Sequence, residues 1–71
     1  MEYKITEHIA NLGDRSKGWK LELNKVSWNG NSEKYDIRAW SDDREKMSKG
    51  ITLSSEEANA LYAALKEALQ K

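Results

Sequence analysis

YDIRAWSDDREKMSKGITL, residues 35–53, decides the fold. It reads as a strand, a polar hairpin loop and a second strand that runs into a helix start. Tyr35, Ile37 and Ala39 alternate with Asp36, Arg38 and Trp40, so each set shares one face of a strand. The first set is apolar enough to pack on a core. The second places a guanidinium beside an indole. On an outward sheet face that pairing stacks bases and holds phosphates. The third strand is expected over 35–41 and the fourth over 47–53. Gly50 inside the fourth marks a bulge or a close backbone approach. A kink there lets Lys49 face out while Ile51 and Leu53 face in.

Toward the C-terminus, Ser54 is a good N-cap and Glu57, three residues on, completes a capping box. Ala58, Leu61, Tyr62, Leu65, Ala68 and Leu69 recur at helical spacing, so a helix is expected over 55–69. Toward the N-terminus, Asn29-Gly30 signals a hairpin. The second strand is expected over 19–28, WKLELNKVSW. Its apolar parity slips between Leu21 and Leu23 and the pair Val26 and Trp28. A bulge at Asn24 and Lys25 restores one apolar face and turns Lys20 and Lys25 outward. GDRSKG, residues 13–18, has glycine at both ends and reads as a turn. The first strand is expected over 3–12. His8, the single histidine, reads as a strand-surface residue, because no nucleophile or carboxylate cluster marks it as catalytic. The whole is one α+β domain, 1–71: a curved four-stranded antiparallel sheet followed by one C-terminal helix, ββββα.

The chain has 71 residues and no cysteine. A domain this short buries only about 60% of its unfolded surface. A single core of this size rarely supplies more than about 3–5 kcal/mol. Disulfides and thiolate metal sites are excluded, and one histidine builds no zinc site. Asp42, Asp43 and Glu45 lack the spacing of a calcium loop. No metal and no cofactor is expected, and homodimerisation is the stabiliser left. No apolar run approaches the roughly 20 residues of a membrane span, and there is no signal peptide. A cytoplasmic location is expected, with nucleoid association as a variant of it. No nucleophile pair, phosphate-cradling glycine loop or paired carboxylates support an enzyme.

One helix covers one face of a four-stranded sheet, so the other face stays wet or meets a partner. The outward list is Lys20, Lys25, Arg38, Trp40 and Lys49, framed by Lys17, Lys34 and Lys46 in the loops. Trp19 and Trp28 fit either core or site. Stacking tolerates any base, and lysines that track a backbone add a salt-dependent term. Against this stands the charge balance, 12 basic to 12 acidic side chains, where a nucleic-acid-binding domain is usually basic. The balance favours the alternative, a protein-interaction or dimerisation module without a nucleic-acid ligand.

The segment YDIRAWSDDREKMSKGITLSSEEANALYAAL resembles the C-terminal domain of the transcriptional positive cofactor 4 family, and is closest in character to its bacterial YdbC-like members. The shared features are DIR followed by Trp40, a polar loop, KGITL and a capped amphipathic helix; KGWKLELNKVSWN resembles the bacterial branch as well. The resemblance covers most of residues 17–69. It implies a homodimer of curved ββββα units, related to the Whirly fold, that binds single-stranded DNA across its sheets with little sequence preference. RNA is the alternative ligand, and transcription, replication or repair the setting. Arg38, Trp40 and Lys49 are the matching site positions. The acidic, serine-rich regulatory tail of the eukaryotic coactivators is absent, and the third hairpin loop is shorter, so plain strand binding is what the resemblance implies.

Overall fold

The alternation becomes four strands and one helix in a computed structural model, which describes residues 2–70. Strand β1 is Tyr3–Asp14, β2 Lys20–Trp28, β3 Lys34–Trp40 and β4 Ile51–Leu53; helix α1 is Ser55–Leu69. A short 3-10 turn, Ser16–Gly18, joins β1 to β2. The sheet is antiparallel in the order β1-β2-β3-β4.

The bulge expected in β2 is absent. β2 pairs with β3 residue for residue, from Lys20 opposite Trp40 to Val26 opposite Lys34. The irregularities lie in β1, between Ile5 and Glu7, His8 and Ala10, and Asn11 and Gly13. At each, β1 carries one more residue than β2, so twelve residues run against nine. Bulges bend and twist the strand that holds them, and three in succession coil this sheet. The coiling is measurable. Tyr3 lies opposite Trp28, and Trp40 lies opposite Lys20. Those two places on β2 are roughly 26 Å apart at strand rise. Yet the Tyr3 and Trp40 ring centroids are 5.5 Å apart. The face bearing Asp36, Arg38 and Trp40 is therefore the inside of the coil.

That face holds the core. Val26 and Trp40 are the fully buried hydrophobic residues among those described. The Tyr3 ring bridges Trp28, at 5.6 Å, and Trp40. Glu22, Asn24 and Asp36 are buried beside them and are satisfied by side chains. Asn24 Nδ2 donates to Glu22 Oε1 at 3.1 Å, and its Oδ1 lies 2.7 Å from His8 Nδ1. Arg44 reaches Glu22 from the 41–46 loop at 3.2 Å. The apparent slip in β2 has the same origin. Its first half puts leucines on the outer face and its second half puts Val26 and Trp28 on the inner one, with no change of parity.

The outer, convex face carries Leu21, Leu23, Tyr35, Ile37, Ala39 and Leu53, all half-buried. Helix α1 leans on this face over β3 and β4. Its start is set locally: Ser54 Oγ accepts from Glu57 N at 3.1 Å, and Glu57 Oε1 accepts from Ser54 N at 2.9 Å. β4 is shorter than the expected 47–53. Met47 makes a single bridge to Trp40. Ser48 replaces strand pairing by donating its N–H to Ala39 O and accepting from Ala39 N through Oγ, at 2.9 and 3.0 Å.

Candidate nucleic-acid interface

The coiled sheet divides the expected site between two faces. Lys20, Trp28, Lys34, Arg38 and Trp40 lie on the inner face, and Lys25 on the outer face. Trp40 is a correction. It was expected on an open face beside Arg38, but its exposure is 0%. The coiling of β1 brings Tyr3 over it, so the residue that parity placed opposite Ile37 is core rather than surface. Lys25, expected to face outward for a phosphate, is engaged. Its Nζ lies 5.4 Å above the Tyr35 ring and 3.7 Å from both Glu7 and Glu33.

Two open places keep aromatic and cationic groups together. At the Lys34 end of the inner face, a groove of about 370 Å³ is lined by Trp28, Asn31, Ser32, Lys34 and Thr52. Trp28 is half-buried here and Lys34 is exposed. Behind Trp28, the Arg38 guanidinium lies 4.7 Å from the ring centroid. Arg38 Nε and Nη2 donate to the two oxygens of Asp36 at 2.6 and 2.8 Å. Hydroxyls, an amide, an ammonium and an indole converge on one groove. That set can stack a planar ring, bond its edge and balance an anion.

The second place is a cleft of about 500 Å³ on the outer face. Trp19, Leu21, Ile37 and Ala39 form its floor, and Arg15, Ser16, Arg38, Ser48 and Lys49 line it as well. Trp19 and Lys49 thus line one cleft, and Trp28 lines another. Lys17 and Lys46 are exposed in turns at the same end of the sheet as Lys20; Lys17 adopts a left-handed conformation, φ 59°. They frame the sheet end and touch neither floor.

Residue-type reasoning passed over Asp36, Thr52 and Tyr3 as site residues. Asp36 carried a readable signal, since it shares a strand face with Arg38 two residues away. At Gly50 the close backbone approach expected from the sequence is present, and its partner is Arg38. A Cβ there would fall on Arg38 Cβ and the Ile37 carbonyl oxygen, so the chain entering β4 lies directly against the Arg38 stem. In the 41–46 loop, the Glu45 N–H and then the Ser41 hydroxyl donate to Asp43 and hold its carboxyl below the usual range. Among the described residues, no cluster of His, Cys, Asp or Glu is arranged to hold a metal, and no helix is long and apolar enough to cross a membrane.

The family model described as Transcriptional Coactivator p15 (PC4) matches residues 15–64. A protein of Treponema pallidum (strain Nichols), described as uncharacterized, is 52% identical over 59 residues. That span is 83% of this chain and 69% of the relative. The matched segment contains the inner groove, Arg38 with its partner Asp36, and the cap and first turns of α1.

Proposed function

We propose a function from one premise: the chain belongs to the Transcriptional Coactivator p15 (PC4) family, for which single-stranded nucleic-acid binding is the family-level activity. The protein binds single-stranded DNA with little sequence preference. A base stacks on Trp28 in the inner groove, and Lys34 takes the adjoining phosphate. The observation that carries this reading is the half-buried Trp28 indole, which lines the inner groove with Lys34 and has the Arg38 guanidinium 4.7 Å from its ring centroid. Stacking is sequence-tolerant because every base has a π-face, and a duplex hides those faces. With a formal charge of zero, phosphate contacts are few and stacking carries a large share of affinity.

The active form is a homodimer. Helix α1 leans on the sheet beside an apolar groove lined by Leu23, Tyr35, Ile37, Leu53, Leu61 and Leu65. Leu61, Tyr62, Leu65 and Leu69 are 38%, 65%, 48% and 78% exposed. A second copy covers this stripe, and Ile51 at 54% with it.

Fluorescence anisotropy with labelled single-stranded DNA, RNA and duplex at two salt concentrations tests the reading. Single strands are expected to bind more tightly than duplex. Trp28→Ala is expected to cost about 1–3 kcal/mol with the salt slope kept. Lys34→Ala is expected to flatten that slope by about 0.7. Equal or tighter binding of blunt duplex removes stacking as the mechanism. No binding of any nucleic acid favours the protein-interaction alternative.

A further inference from the structure

We propose that Asp36 is a positioning residue of the interface: its carboxylate neutralises Arg38 and clamps the guanidinium behind Trp28, making Arg38 a backing plate for the stacked base instead of a phosphate ligand. The proposal rests on the strand-binding reading above and specifies how its aromatic platform is held.

The geometry commits the Arg38 guanidinium, although its side chain also lines the cleft of Trp19 and Lys49. Its side chain is 13% exposed, and that of Asp36 is 0% exposed. Nε and Nη2 donate to Asp36 Oδ1 and Oδ2 at 2.6 and 2.8 Å, a two-pronged pair that fixes the plane as well as the position of the guanidinium. Nη1 is turned toward the segment that precedes β4, 3.4 Å from Met47 Sδ and 3.5 Å from Ser48 O. Asp36 is held in turn: Thr52 Oγ1 donates to Oδ2 at 3.1 Å. Gly50 presses against the Arg38 stem, where any larger residue collides. The guanidinium is thus held by Asp36 on β3 and by Met47 and Ser48 in the segment before β4, with Trp28 of β2 at 4.7 Å from it.

Charge points the same way. A phosphate ligand contributes to binding by bringing an unpaired cation and releasing counterions. Arg38 arrives already paired, so taking it for phosphate strands a buried carboxylate, which is costly. The cation is better used where it stands. A guanidinium against an indole is attractive in itself, and it holds the ring still for the base.

The test is the salt slope of oligothymidylate binding. The double variant Asp36→Asn with Arg38→Met removes both charges and leaves net charge and approximate volume unchanged. Under the proposal it binds about three- to tenfold more weakly at every salt concentration, and its slope equals that of the wild type. Asp36→Asn alone frees a cation, and its slope steepens by about 0.7. A slope flattened by about 0.7 in the double variant makes Arg38 a phosphate ligand and overturns the proposal, while strand binding itself stands. A wild type that binds no strand overturns both. One measurement needs no substitution. In labelled wild-type protein the Asp36 carboxyl carbon resonance is expected to hold its position as strand is added, because its partner stays. A displacement that saturates with the strand overturns the proposal.

Discussion

Replacing Trp40 by alanine should unfold this domain rather than disarm it. Trp40 is 0% exposed and packs with Tyr3 at 5.5 Å inside the coiled sheet. Burying a tryptophan removes about 150–250 Å² from water. At about 25 cal/mol per Å² that is roughly 4–6 kcal/mol, an upper figure because the unfolded chain already shields part of it. Aromatic-to-alanine changes in cores cost about 3–5 kcal/mol. A single core in a domain of this size supplies only about 3–5 kcal/mol, so the variant should be largely unfolded or close to it. Even the low figure lowers Tm by about 12–24 °C. The assay is a urea titration followed by far-UV circular dichroism, at one protein concentration because the proposed dimerisation would add to apparent stability. Trp40→Phe serves as the control. The Trp40 Nε1 has no hydrogen-bond partner among the described residues, so phenylalanine gives up volume but no bond, and should fold with a smaller loss. A Trp40→Ala variant that unfolds at the wild-type midpoint, yet loses strand affinity, would falsify the burial argument and place Trp40 on an open binding face.

Three further outcomes follow from other parts of the structure. Gly50→Ala should destabilise by about 1–3 kcal/mol through overpacking against Arg38 and the Ile37 carbonyl, and a denaturation midpoint equal to the wild type would contradict that close approach. Leu65→Lys should shift the light-scattering mass from dimer to monomer at micromolar concentration; a wild type that is already monomeric there ends the dimer proposal. Asp43 is held below the ordinary aspartate range by the Glu45 N–H and the Ser41 hydroxyl, so its loop-stabilising effect is complete above that range and is lost as pH falls through the lowered value. Ser41→Ala should therefore raise the Asp43 titration midpoint in an NMR pH series, and an unmoved midpoint would show that the hydroxyl contributes nothing.

The element order was legible because its signals are local. Ser54 and Glu57 close the capping box within four residues, and the helical repeat of Ala58, Leu61 and Leu65 follows directly. Parity likewise put Asp36, Arg38 and Trp40 on one face of β3 and Ile37 on the other, as the pairing with Glu22, Leu23 and Asn24 confirms. Parity separates two faces but does not say which is inside. That was decided by the three extra residues of β1, each visible only once β1 is laid against β2. They coil the sheet toward the Trp40 side and bring Tyr3 onto a residue 37 positions away in the chain. The same coiling parts Trp19 and Lys49 from Trp28 and Lys34, and turns Arg38 from an expected surface cation into a half-buried partner of Asp36. The sequence alone determined which residues sit together along each strand and helix, because hydrogen bonding and side-chain period act over a few residues. Only the tertiary structure decided which face became the core, because curvature comes from a mismatch in length between strands that meet after a turn.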